Sequence, residues 1–251
     1  MNVKKLFTRL NEKGIQDIEY RYASSSTFTL GVFRKELSNY SASTSTIINV
    51  DAVIDHKLAM VTTENTSNDN IDNIIHQLFE SAKYTNKKEG EIYKEKNRYR
   101  HYYPYNQELE NVPHQRKIDY LFMIEDKLKA LDQRIEEVEV GYEENFNQSL
   151  YQNSAGIKLK TKKNSYSFMA SVVINDNGEK KTEFLVFTDN DFNKFNVDNF
   201  VKELYEKAMK KLNAIDIETK KYKAIFDPEV VDTLIDYYIA QLSAESVLKN
   251  S

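Results

Sequence analysis

The sequence has 251 residues, 40% hydrophobic and 29% charged, with a net charge of −4 and no cysteine. That length and balance describe a globular chain of one large domain or two small ones and exclude a disordered one. The missing cysteine excludes disulfides and thiolate metal ligands. The acidic excess argues against a general phosphate-binding surface and leaves room only for a local basic patch.

The first residues are basic, but no apolar run of signal-peptide type follows them. No stretch approaches the roughly 20 apolar residues of a membrane helix, so a soluble, cytoplasmic chain with no membrane partner is expected. Val3 to Lys13 reads as a helix with Leu6, Phe7 and Leu10 on one face and Gly14 as its stop. Strands follow, with Ile18, Tyr20 and Tyr22 alternating, then Phe28, Leu30 and Val32, then Thr46 to Val53 and Leu58 to Thr63. The Ser and Thr between Ser24 and Thr46 fit an exposed strand face. Asp69 to Lys83 is a helix striped by Ile71, Ile74, Ile75, Leu78, Phe79 and Ala82, with Ser67 or Asn68 as its cap.

From Tyr84 to Pro113 the periodicity fades into a charged, Tyr-rich connection. Pro113 then opens a helix striped by Ile118, Leu121, Ile124, Leu128 and Leu131. Strands return at Val138 to Tyr142, Gln148 to Gln152, Ile157 to Lys163, Tyr166 to Ile174 and Lys181 to Thr188. Turns lie at Asn153-Ser154-Ala155-Gly156 and Asn175-Asp176-Asn177-Gly178. Val197 to Leu212 is a helix and Tyr222 to Phe226 a strand. Asp227 and Pro228 then cap and open a last helix striped by Val231, Leu234, Ile235, Tyr238 and Leu242.

The order helix, antiparallel strands, helix therefore occurs twice. It predicts an α+β fold of antiparallel sheets flanked by helices, in two similar helix-strands-helix units. Residues 1–83 form an N-terminal α+β domain, 84–112 the connection and 113–221 the second unit. Residues 222–251 begin a further domain whose remainder is expected to be missing.

The residues capable of chemistry do not assemble into a motif. The four histidines are His56, His76, His101 and His114, and none lies in HExxH or HExxxH. His76 and Glu80 share a helix face, a spacing that suits two metal ligands but more often a surface hydrogen bond or ion pair. No serine lies in GxSxG, and Walker and GxGxxG loops are absent. Glu137 and Glu139, beside Glu136, share a strand face and read as a solvated surface rather than an acid/base pair. The stretch Tyr93 to Tyr105 interleaves bases with rings. That pattern can hold a nucleic-acid strand, although a linker pinned by its tyrosines accounts for it better in an acidic chain.

Three stretches resemble the TldD/PmbA family, the modulator-of-gyrase family, and its PmbA (TldE) branch in particular. They are Phe28 to Ser41, the turn Gln152-Asn153-Ser154-Ala155-Gly156, and Tyr222 to Val231 with Leu242 to Val247. Their order and spacing agree along the chain. The resemblance implies a metallopeptidase system acting on unfolded or leader-type peptides. One kind of subunit there carries HExxxH and zinc, and the other lacks the motif and pairs with it.

In the catalytic kind that motif is expected near Asp227 to Leu234, where nothing here matches, so no catalytic, cofactor-binding or metal residue is carried over. The resemblance thus implies a subunit silent on its own, with zinc in a homologous TldD-type partner as a homo- or heterodimer and a peptide as substrate. A chain lacking its C-terminal domain is the other reading, and the Phe226-Asp227-Pro228 wording favours the partner branch. Lys181 to Thr188 is expected to frame the path of an extended peptide. The rivals are a non-enzymatic binding module for a topoisomerase or nucleic acid, and an independent hydrolase with an unrecognised site.

Overall fold

The structure, a computed structural model, describes residues 1–85, 90–95, 104–212 and 214–249. The chain divides into two compact units, Met1–Asn213 and Ala214–Ser251.

The first unit begins with helix α1 (Val3–Glu12), capped by the Asn2 side chain, and buries Leu6 and Leu10. Strands β1 (Ile18–Phe33), β2 (Glu36–Ile54) and β3 (Lys57–Thr63) follow, then helix α2 (Ile71–Tyr84). The one-turn helix α3 (Gln107–Glu110) and the long helix α4 (His114–Leu131) lead to β4 (Ile135–Asn153), β5 (Lys158–Asp176) and β6 (Glu179–Asp189). Helix α5 (Val197–Met209) closes the unit. The six strands form one antiparallel sheet in the order β3-β2-β1-β4-β5-β6. The α+β class, the antiparallel sheet and the repeated element order are as the patterning predicts. The separate strand segments expected from the sequence are instead pieces of strands up to 19 residues long. Their Ser, Thr and Asn stretches carry no hydrophobic alternation yet still pair edge to edge, for example Ser24↔Thr46 and Asn145↔Ser165.

Two hydrophobic cores lie at opposite ends of these strands. One packs α1 and α2 on Ile18, Tyr20, Ile48, Val50, Ala52 and Val61. The other packs α3, α4 and α5 on Leu30, Val32, Val140, Tyr142, Phe168 and Val172. Apart from Ile135, which precedes a register shift in β4, every core residue of β1 and β4 has an even number, so both cores sit on the same side of those strands. Among the described residues, no buried hydrophobic side chain falls between Tyr20 and Leu30 of β1, or between Tyr142 of β4 and Ile157. The central part of the sheet is thus left between the helical layers.

The hairpin β1–β2 turns through Arg34 and Lys35, with φ of 52° and 62°. The buried Glu125 of α4 holds that turn by accepting the Lys35 N–H at 3.0 and 3.2 Å. Residues 90–95 of the Tyr-rich connection are tied to the β2–β3 turn, to the residue before β1 and to the end of β4. Gly90 donates to the His56 carbonyl at 3.0 Å, Lys94 pairs with Asp17 at 2.8 Å, and the Asn153 amide donates to the Tyr93 carbonyl at 2.6 Å. Ile92 is buried there.

The expected α4 stripe is corrected in two places. Leu131 is 48% exposed at the helix end, whereas Lys117 and Glu125 are buried. The sheet offers both polar residues partners that periodicity does not reveal.

In the second unit, helices α6 (Pro228–Gln241) and α7 (Ala244–Lys249) form. The Asp227 carbonyl accepts from Val230 and Val231. The strand expected at Tyr222 to Phe226 does not form, because no described segment offers it a ladder. The expected α6 stripe stays largely exposed, Leu234 at 47% and Ile235 at 48%. Among the described residues no helix is long and apolar enough to cross a membrane.

Candidate functional site

Three features of the first unit are built for more than packing. The first is a groove of about 450 Å³ on the uncovered middle of the sheet, lined by Tyr22, Tyr105, Gln148, Leu150, Lys160 and Lys162. Strand pairing sets its floor: Leu150 stands opposite both Tyr22 and Lys160, and Gln148 stands opposite Lys162. Tyr105 forms a wall. Its ring meets Phe146 edge-on at 6.0 Å, and the Lys162 ammonium lies 3.5 Å from its centroid. Asn106 and Asn164 exchange side-chain to backbone hydrogen bonds at 2.8 and 2.7 Å and fix this wall to β5.

The second feature is a buried charge pair where α4 crosses the sheet. Lys117, 2% exposed, donates to Glu144 at 2.5 Å and lies 5.4 Å from the rings of both Phe28 and Tyr142. The Tyr142 hydroxyl donates to the same carboxylate at 2.6 Å. Burial, reinforced by the Glu144 charge, pushes the Tyr142 phenol far above its ordinary value, so it stays a donor. His114 stacks on Phe28 at 4.3 Å, and its Nδ1 shares a hydrogen bond of 2.9 Å with the Tyr40 hydroxyl.

The third feature is β6, an edge strand of the sheet. Half of its outer edge is guarded: Lys211 donates to the Thr182 carbonyl at 2.9 Å, and the Glu183 carboxylate accepts the Phe184 N–H at 3.0 Å. Beyond it Phe184 and Val186 stand 54% and 46% exposed on the face away from the helices.

The residues weighed from the sequence are scattered. His56 sits in the β2–β3 turn at positive φ. Glu80 pairs with Lys83 at 2.5 Å rather than joining His76 in a ligand set. His101 lies outside the described residues, as does most of the Tyr93 to Tyr105 cluster, of which the Tyr105 end reaches the groove. Glu137 and Glu139 share the exposed face of β4, and Glu137 pairs with Arg34. Glu136 accepts from Asn175 and Lys180, and these bonds hold its carboxyl below the usual range. Among the described residues no three His, Cys, Asp or Glu side chains converge as metal ligands. The Lys117 pair and the groove were missed from sequence. The one signal was Lys158-Leu159-Lys160-Thr161-Lys162-Lys163, a basic strand in an acidic chain.

Helices α3 to α5 with β4 to β6 occupy residues 107–209. Residues 107–212 match the family described as the PmbA/TldA metallopeptidase central domain. Over those residues the chain resembles the central domain of the PmbA/TldD family. No curated protein matches the sequence.

Solved structures share the fold well beyond this domain. A protein proposed as a modulator of DNA gyrase from Bacteroides thetaiotaomicron superposes with a TM-score of 0.87 at 16% identity, covering 98% of this chain and 57% of its own. Another protein so described, from Thermotoga maritima, gives 0.77 at 15% identity over 86% of this chain and 49% of its own. TldE from Thermococcus kodakarensis gives 0.71 at 16% identity over 82% and 47%. The chain thus spans about half the length of these structures. Within the matched residues 107–212 lie the buried pair, β6 and the basic side of the groove. Tyr22 and Tyr105 come from outside them.

Proposed function

We propose that this chain is a non-catalytic, cytoplasmic subunit of a metallopeptidase system acting on unfolded or leader-type peptides. In this reading it belongs to the PmbA/TldE branch and works with a homologous TldD-type subunit that holds the zinc. The observation that carries the reading is the metallopeptidase central domain at residues 107–212, in a sequence whose residues supply no HExxxH. The described histidines do not fit a zinc site: His56 and His76 lie apart on the surface, and the His114 ring is taken up by Phe28 and Tyr40. No reaction step is therefore assigned to this chain. The edge strand β6 supports a role in framing an extended substrate, since its unguarded part, from the Phe184 carbonyl to Thr188, could be continued by a peptide strand.

The test mixes this chain with a TldD-type subunit from the same cell and follows cleavage of an unfolded peptide, with and without a chelator. Cleavage should require both subunits and should stop on chelation. Cleavage by this chain alone, or undiminished cleavage by the partner alone, ends the reading. Proline at Val186 should weaken peptide binding by the pair while the fold persists, because an edge position tolerates the lost N–H. Unchanged binding by a folded variant removes β6 from the path.

Two of the structural relatives are described in terms of DNA gyrase, which supports a second reading as a binding module for a topoisomerase or nucleic acid. Retention on a polyanion resin that falls steeply with salt would favour it.

A further inference from the structure

The groove on the middle of the sheet has a chemistry the peptidase reading does not use. Within six residues β5 carries Lys158, Lys160, Lys162 and Lys163, and none of the four makes an ion pair with a described residue. Elsewhere in the unit lysines are commonly neutralised, as at Lys94, Lys117, Lys127, Lys180, Lys194 and Lys211. In a chain of net charge −4, this is a local surplus of positive charge beside a cavity.

Lys160 and Lys162 are two positions apart on one strand face, so their side chains rise from the groove about 7 Å apart. An extended polypeptide repeats its side chains on one face at the same spacing. Leu150 and Tyr22 give the floor an apolar strip, and Gln148 supplies a hydrogen-bonding amide within reach of a backbone. The Tyr105 ring already has the Lys162 ammonium at 3.5 Å and Phe146 at its side, which hinders its use as a platform for a stacked base. The overall negative charge also penalises a long polyanion more than a short acidic segment.

We infer that this groove is a docking site for an extended acidic polypeptide segment with Asp or Glu at alternate positions, its carboxylates held by Lys160 and Lys162. The inference concerns the chain's own surface and does not rest on the peptidase reading. It is tested without a partner subunit and without cleavage, so either can fail alone.

The probe is a fluorescein-labelled peptide alternating Glu and Thr, titrated with the full chain and followed by anisotropy. Saturable binding that weakens with salt is expected. Lys160→Glu with Lys162→Glu should weaken it at least about tenfold, two charge-assisted contacts being replaced by repulsion. The charge reversals Lys4→Glu with Lys5→Glu on α1 should leave it unchanged, and circular dichroism establishes that both variants are folded. A peptide alternating Lys and Thr should not bind. The proposal is overturned by no saturable binding of the acidic peptide, or by equal loss in both double variants. It is also overturned by an oligothymidylate that binds more tightly than the peptide and loses affinity in the Lys160/Lys162 variant, which would make the groove a nucleic-acid site.

Discussion

Lys117 is a lysine placed where a helix stripe calls for an apolar residue, and it is held there by one carboxylate and two rings. Removing one member of such a pair strands the other charge. Lys117→Ala should therefore cost about 3–5 kcal/mol, while Lys117→Met combined with Glu144→Gln should cost clearly less. Urea denaturation of the single and double variants measures this, and additive losses would show that the two groups are not coupled.

Two aspartates give opposite pH signatures. Hydrogen bonds from Arg134, then Tyr205, hold Asp132 well below the ordinary carboxyl value. Its stabilisation is present above the unfolded value of about 4 and is lost as pH falls below it. Burial pushes the Asp51 carboxyl up against the opposing pull of Arg21, and its Oδ1 has no hydrogen-bond partner among the described residues. Its contribution is greatest below about pH 4 and declines as pH rises through the folded value. In thermal denaturation across pH, the difference between wild type and Asp132→Asn should grow with rising pH, and that for Asp51→Asn should shrink. Parallel curves for the two variants would contradict both assignments.

Among the elements, the central strand pair β1–β4 shows how a glycine can be fixed by its neighbour. Gly31 and Gly141 stand directly opposite each other, and the β1–β2 register shifts just after Gly31. A Cβ on Gly141 would lie 2.9 Å from the Met169 Cγ, and one on Gly31 would lie 2.9 Å from the Ser38 Oγ. Gly141→Val should cost about 1–3 kcal/mol through overpacking, and Met169→Ala should recover part of that loss in the double variant. No recovery would place the strain in the backbone rather than at Met169. Chemical denaturation reads both outcomes.

At the scale of the whole first unit, the two cores share β1 and β4 from end to end. Neither core can lose its strands without unpairing those of the other. Leu6→Ala in one core and Leu128→Ala in the other, both sites fully buried, should each lower stability by about 2–5 kcal/mol. Both should shift the same single transition, followed by circular dichroism. A transition that splits in either variant would mean that the halves unfold independently.

The sequence by itself determined the helices α1, α2, α4 and α5, the two helix-strands-helix units and the α+β class. Amphipathic stripes such as Ile71 to Ala82 and alternations such as Val138 to Tyr142 are local consequences of which side chains must leave water. It also carried the family resemblance, in short turns and strand pairs whose backbone demands are local. Tertiary structure alone decided that the strand segments are continuous through Ser41 to Thr46 and Asn145 to Ser149. Pairing there depends on neighbouring backbones and leaves no trace in hydrophobic periodicity. It alone decided that Lys117 and Glu125 are buried, since their partners, Glu144 and the Lys35 N–H, lie 27 and 90 residues away. It also joined Tyr22, Tyr105, Leu150 and Lys160 in one groove. Strand register brings three of them together and the return of the connection adds Tyr105, because cross-strand pairing is set by the sheet and not by the order of residues along the chain.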